Sequence, residues 1–351
     1  MKPNDMSRSD SKVVKLDYML VHGSPLPITA LNIAKSMMDK DAGTFSVGIG
    51  FKDKIVSLMN FSGQKPNTQY PIASASKFLT AATVMTLVDE GKLSLDQPVS
   101  HWLPAFAKIA DELTLRQLLS QTSGLAGTQG EFYEFAQDHR ITLVQSAQEL
   151  MQRPLISRPG KVFAYGGPGF QVVGAVVEAV TGKRWSQVFQ DKLAGPLGMM
   201  RTQWMHPRMD RTNDVPVEEI LNPVLQGGAV STAEDYLNFL SMIAQNGMFA
   251  GQRVLSPDSI NEMLADQTSG VVMTSTGNNI LADAHYALGN WCESWDNEGN
   301  GSRNSSLGFF GVYPWVERKT GHFGIIFPFI RDDAFRFWSE MEAIRDAVSM
   351  D

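Results

Sequence analysis

The pattern Ser-x-x-Lys occurs three times in this sequence, at Ser9–Lys12, Ser62–Lys65 and Ser74–Lys77. A serine hydroxyl is a poor nucleophile until a nearby base removes its proton. On a helix, residues three apart lie on one face, so the pattern puts hydroxyl and amine within reach. The pattern is cheap, and context has to separate the three. Ser9 lies in a polar N-terminal stretch with nothing to hold it. Ser62 lies in SGQKPN, a Gly/Pro turn that cannot be a helix. Ser74 opens a long apolar segment directly after a turn containing Pro71. That segment reads as a helix buried nearly all round, which would fix the backbone at its first turn. The free N–H groups and positive dipole end there favour a developing oxyanion. Ser74 could instead be a plain N-cap with Lys77 on the surface. Against that, an idle lysine facing so apolar a segment would be costly.

Elements must position these groups. Residues 44–50 (TFSVGIG) and 55–61 (IVSLMNF) read as short strands around the turn FKDK. From Ser74 to Glu90, apolar residues recur at 78, 81/82, 85 and 88, and Gly91 closes the helix. Residues 114–125 read as a short helix. Pro168 begins another, with Phe170, Val173, Val177 and Val180 on one stripe and Gly182 as its stop. Ser231-x-x-Glu234 reads as a capping box for a helix to about Asn246, and Ser256-Pro257 starts one more. Strand patterns return at 286–291, in a short piece before Gly308, at 311–316 and at 322–327. The tail from Asp333 to Met350 is helical and amphipathic. The expected fold is α+β: one antiparallel sheet built from N- and C-terminal segments, flanked by helices, with a mostly helical domain inserted. The boundaries expected are a disordered tail over 1–20, a sheet domain from 21–70 plus 266–351, and a helical domain over 71–265. A site would lie at the seam between them.

Composition bounds the function. The chain has 351 residues, 43% hydrophobic and 19% charged, with a net charge of −7. That suits a substantial core, as one large domain or two. A mildly acidic chain without a Lys/Arg cluster argues against nucleic acid as partner. The single cysteine, Cys292, excludes an intrachain disulfide and reads as a small buried hydrophobe. No apolar run is long enough to span a bilayer, and MKPNDMSRSDSK lacks the apolar core of a secretory signal, so a cytoplasmic location is expected.

The stretch PIASASKFLTAATVMTLVDEGKLSLDQPVSHWLP resembles the opening of the serine β-lactamase-like family. That family holds class C β-lactamases, D-alanyl-D-alanine carboxypeptidases and related family VIII-type esterases. LTLRQLLSQTSGL, GGAVSTAEDYLNFL and NGMFAGQRVLSP resemble further landmarks in the family's order, from about residue 30 to the C-terminus. The resemblance implies an acyl-enzyme on Ser74 with Lys77 as its activating partner. It also implies a Tyr-x-Asn motif, which Tyr165-Gly166-Gly167 supplies only in part. Tyr165 would act as general base toward the nucleophile or as proton shuttle to the leaving group. Alone it would read as a packing residue. Gly167 lacks the amide that would orient an amide-bearing substrate.

The third implied motif is Lys-Thr-Gly or His-x-Gly on a strand beside the nucleophile. Lys319-Thr320-Gly321 matches in letters, but only one strand follows it, whereas the family has two before the final helix. ERKTG reads better as a turn. Ser306-Leu307-Gly308 leaves the required two strands. Gly308 would let substrate approach the strand closely. The backbone N–H of Phe309 would join that of Ser74 as the oxyanion hole. Ser306 carries no charge, so recognition of a substrate carboxylate should weaken.

These departures at 167 and 306 point to an esterase on small carboxylic esters. The alternatives are a β-lactamase, D-Ala peptidase or other amide hydrolase, and a non-catalytic penicillin-binding-like module. The expected partner is a small ester or amide substrate, with no metal or organic cofactor. No Gly-x-Ser-x-Gly elbow, His-Glu-x-x-His or phosphate-binding loop is present, and the six histidines are scattered. Asp283 and His285 offer no geometric case for a Ser-His-Asp triad. Residues 296–302 read as a loop, and His101 and His322 as surface or packing residues.

Overall fold

A computed structural model describes residues 17–106, 112–126, 138–205, 215–275, 280–281 and 283–349. The first of the three Ser-x-x-Lys matches, Ser9–Lys12, and most of the expected tail lie outside the described residues. An eight-stranded antiparallel sheet organises the fold. Its strands are β1 (Tyr18–Gly23), β2 (Phe45–Phe51), β3 (Lys54–Phe61), β4 (His285–Tyr286), β5 (Trp291–Trp295), β6 (Gly301–Ser305), β7 (Tyr313–Glu317) and β8 (His322–Pro328). They lie in the order β1-β3-β2-β8-β7-β6-β5-β4. The two ends of the chain therefore meet at β2 and β8, in register from His322↔Phe51 to Pro328↔Phe45.

Alternation along β2 explains the layers. Phe45, Val47 and Ile49 point into a core shared with the helices Ile28–Asp39 and Trp338–Ser349. The opposite face, with Phe323, Ile325 and Phe327 of β8, packs on the helix Ala233–Ala244 and the larger helical core. Burying both faces is what allows β2 and β8 to be apolar or small at almost every position.

Most expected elements are present, with differences at their ends. β1 begins at Tyr18, inside the stretch expected to be a tail, and the helix Ile28–Asp39 had no counterpart in the sequence reading. The helix of the third landmark is capped by Thr232, whose hydroxyl accepts from Asp235 N, while Ser231 ends a short strand and bonds Thr202. The expected strand 286–291 is interrupted: residues 287–290 turn between β4 and β5. Ser256 caps the helix Pro257–Leu264 as expected, and Gly182 ends the helix Pro168–Thr181 at φ 64°. Among the described residues, no helix is long and apolar enough to cross a membrane.

Candidate active site

Ser74 sits in a single 3-10 turn, Ala73–Ala75, that leads directly into the α-helix Ser76–Asp89. Every residue of that helix from Ser76 to Leu87 is buried. Ala73, just before the serine, has φ 45°, a left-handed conformation that a residue with a Cβ adopts only at a cost. Its surroundings hold it there. Ala75 N and Ile72 N donate to Ile72 O and Ala229 O at 3.0 Å each, and Tyr236 Oη donates to Ala75 O at 2.8 Å. Ala229 N in turn donates to Ser76 Oγ at 3.2 Å. The segment 225–231 thus braces the start of the helix.

Lys77 is 2% exposed. Its Nζ donates to Ser74 Oγ at 3.1 Å and to Gln226 O at 2.9 Å. Burial lowers its pKa from 10.5 to about 7, because the charged form loses its hydration. A lysine so placed can be neutral near neutral pH and hold the serine's proton. Its Nζ also lies 4.8 Å from the centroid of the Tyr165 ring. Tyr165 follows the short strand Val162–Ala164 and is flanked by aromatic rings, stacked on Trp291 at 5.2 Å and edge-on to Tyr286 at 5.9 Å. Ser74, Lys77 and Tyr165, chosen from the sequence, therefore stand at one locus.

Gly166 and Gly167 are buried where the tyrosine segment enters the helix Pro168–Thr181. A Cβ on Gly167 would fall 2.4 Å from Gln226 Nε2 and 2.5 Å from Gln226 Cδ. The side chain of Gln226 thus occupies the room a side chain at 167 would need. Sequence reasoning missed this residue, and also Gln121, whose amide pairs with both backbone groups of Gly166. Both belong to segments remote in the chain, and the only local signal was their position in or beside landmark stretches.

Ser306 leaves the end of β6 and is buried; its Oγ donates to Ser74 O at 3.3 Å. Leu307 is buried in the core, and Gly308 approaches the chain before the serine so closely that a Cβ there would lie 2.4 Å from Ile72 O. Gly308 N donates to Val312 O at 2.7 Å and Gly311 N to Gly308 O at 2.9 Å. This tight turn carries Phe309, which is 58% exposed. β7, β8 and the final helix follow. Lys319 lies instead on the exposed turn between β7 and β8. Ser62 lies in the turn after β3 with φ 54°, so its pairing with Lys65 is not helical.

The remaining polar candidates have other partners. His285 Nδ1 is 2.5 Å from Asp266 Oδ2, and its ring stacks on Trp295 at 4.0 Å. Cys292 is buried on β5, and burial pushes its thiol up to about 12, which makes it inert as a nucleophile.

The model of the β-lactamase family matches residues 35–329. Penicillin-binding protein 4 of Amycolatopsis lactamdurans is 29% identical over 222 residues, covering 57% of this chain and 57% of that protein. The chain spans about 60% or less of the length of the curated relatives it matches first. The solved structure of a candidate β-lactamase from Bacteroides dorei superposes with a TM-score of 0.78 at 28% identity, over 91% of this chain and 98% of that one. A family VIII carboxylesterase superposes at 0.71 and 16% identity, over 93% and 98%.

Proposed function

Because this chain belongs to the β-lactamase family, we propose that it is a serine hydrolase that forms an acyl-enzyme on Ser74 and acts on small carboxylic esters. One observation carries the reading: Lys77 Nζ, buried and shifted to a pKa of about 7, is 3.1 Å from Ser74 Oγ. Neutral Lys77 takes the hydroxyl proton as Oγ attacks the substrate carbonyl. The backbone N–H groups of Ser74 and Phe309 hold the oxyanion of the tetrahedral intermediate. As the ester bond breaks, the leaving alkoxide takes a proton by way of Tyr165, with Lys77 as the reservoir. Water then attacks the acyl-enzyme and gives a proton to the same pair, which passes it to Ser74 Oγ as the carboxylic acid leaves. No step calls on a metal or an organic cofactor.

Esters are favoured over amides for two reasons. Their leaving groups are better, and Ser306 offers a hydroxyl where a cation would recognise a substrate carboxylate. A carboxylesterase of the same fold gives a precedent for ester chemistry. The test is a pair of assays, a short-chain nitrophenyl ester and a chromogenic cephalosporin, on the wild type and Ser74→Ala. Ester turnover that disappears in Ser74→Ala is expected, with little cephalosporin turnover. Ester turnover that survives the substitution would refute the acyl-enzyme, and preferred cephalosporin hydrolysis would refute the ester preference. A covalent adduct without release would mark a binding module.

A further inference from the structure

Phe309 lends its backbone N–H to the proposed oxyanion hole, while its side chain stands largely in solvent. No other phenylalanine or tryptophan among the described side chains is as open as this one, at 58%. The exposure does not come from a loose loop. Gly308 N donates to Val312 O at 2.7 Å and Ile330 N donates to Phe310 O at 3.1 Å, which closes the turn and ties it to the chain after β8. The Phe309 ring meets Phe310 edge-on, at 5.4 Å between centroids and 83° between planes. The buried Phe310 ring leans in turn on Phe329 at 4.9 Å. Phe329 stacks at 5.5 Å on Tyr70, which lies just ahead of Ser74 in the chain. A row of rings thus runs back from the exposed residue to the segment that leads into the nucleophile.

A single exposed ring is ordinary on a protein surface, but this one stands where a substrate has to pass. A carbonyl oxygen held by Phe309 N–H lies about 3 Å from that nitrogen. The Cβ of the same residue is joined to that nitrogen through Cα alone. The groups attached to the reacting carbonyl therefore come within van der Waals reach of the side chain. The leaving oxygen has to face Tyr165 to collect its proton, which leaves the acyl substituent to lie along Phe309. From this we propose that the Phe309 side chain is a specificity-determining group, which covers the acyl part of the substrate and selects esters of apolar acids longer than acetic acid or ending in a ring. The inference rests on the acyl-enzyme reading and deepens it by naming the acyl class. Contact between ring and chain removes apolar surface of both from water. A ring already held by Phe310 loses little freedom when it is covered, so the gain is not spent on ordering it.

The test uses the full chain and the nitrophenyl esters of acetic, butyric, hexanoic and phenylacetic acids, which keep one leaving group and change only the acyl part. In the wild type, kcat/KM should rise from acetate through butyrate to hexanoate. A fall along that series would overturn the inference without any variant. Phe309→Ala keeps the backbone N–H and removes the ring. In it the ratios of kcat/KM for hexanoate and phenylacetate over acetate should each fall at least ~10-fold, since each methylene in apolar contact is worth a few-fold. Phe309→Leu keeps apolar bulk and should hold both ratios within ~3-fold of the wild type. Equal losses on all the esters would mean that the ring only props the turn of the oxyanion donor, and would overturn the inference. Methyl and benzyl acetate vary the alcohol instead. Their ratio should not change in Phe309→Ala, and a change there in place of the acyl effect would put the alcohol on Phe309 and overturn the assignment. Turnover that survives Ser74→Ala would refute the acyl-enzyme instead. Ser74-dependent turnover with unchanged acyl ratios in Phe309→Ala would refute the role of the Phe309 side chain alone.

Discussion

The amide of Gln121 grips Gly166 through both of its backbone groups: Nε2 donates to Gly166 O at 2.9 Å, and Gly166 N donates to Oε1 at 3.1 Å. Gly166 adjoins Tyr165, so this pair fixes the backbone from which the phenol projects toward Lys77. Gln121→Leu removes both bonds and leaves a buried N–H and C=O unpaired. The chain should lose ~2–4 kcal/mol of stability. Ester kcat should fall about tenfold as the phenol loses its alignment. Denaturant unfolding together with steady-state kinetics measures both. An unchanged kcat would show that Tyr165 is placed by its aromatic neighbours alone.

The pKa of Lys77 sets two pH dependences, both rising with pH but over different windows. For activity, the amine must be neutral, so kcat/KM should rise with pH through about 7 and then level. For stability, the unfolded chain binds a proton between about 7 and 10.5 that the folded chain does not. The folded state therefore gains stability as pH rises through that window, and below about 7 it bears the full cost of burying an ammonium. Lys77→Met should be inactive yet more stable than the wild type at pH 6, by ~1–4 kcal/mol. That advantage should shrink toward pH 10. Unfolding of both proteins at pH 6, 8 and 10 checks the sign, and an advantage that grows with pH would contradict it.

Much of this site was legible in the sequence because it is local. Ser74 and Lys77 share one turn of chain, the apolar helix behind them is continuous, and Gly308 lies next to the residue whose N–H it presents. What could not be read depends on approach between distant segments. Nothing near Gln226 announces that its carbonyl meets Lys77, because 222–231 is placed by bonds to Gln171, Thr80 and Ser76. The strand expected over 286–291 broke for the same reason. Gly289 turns at φ 72° against the helix of the nucleophile, where a Cβ would lie 2.4 Å from Lys77 O. Alternation of apolar residues cannot reveal such a contact. The exposed β1 was missed because its side chains face solvent at Met19 and Leu20, which left no buried-strand pattern to read.

Two residues compete by letter for the role facing Ser74 from the last sheet, and the geometry separates them. Ser306→Ala deletes a hydroxyl 3.3 Å from Ser74 O and should lower ester kcat/KM about 3–10-fold. Lys319→Ala removes an exposed turn residue between β7 and β8 and should change it less than about twofold. The two variants assayed side by side decide the matter. A large loss in Lys319→Ala would assign the role to the turn.

Gly308→Ala tests the turn that presents Phe309. Its methyl would meet Ile72 O, a backbone atom that cannot swing aside, at 2.4 Å. Either the turn or the residues before Ser74 must move. The expected result is a fall of about 100-fold in acylation rate, the order seen when one oxyanion donor is lost. Stability should drop by ~1–3 kcal/mol. A single-turnover burst assay with a nitrophenyl ester separates acylation from later steps, and an unchanged burst rate would mean that Phe309 N–H takes no part.

The pairing of β2 with β8 has a consequence for how the molecule comes into being. Phe45–Phe51 is synthesised well before its partner His322–Pro328, which lies far along the chain. Until then β2 has its hydrogen-bonding edge open on one side, and Phe323, Ile325 and Phe327 are missing from the core under the helix Ala233–Ala244. Pairing so distant in the chain is slow, and open edges invite association between unfinished copies. The turn beside Ser74 arrives on the same late segment. A growing chain would therefore hold its serine and lysine long before it could cradle an oxyanion, and the proposed hydrolytic competence would wait until that later segment joined the sheet.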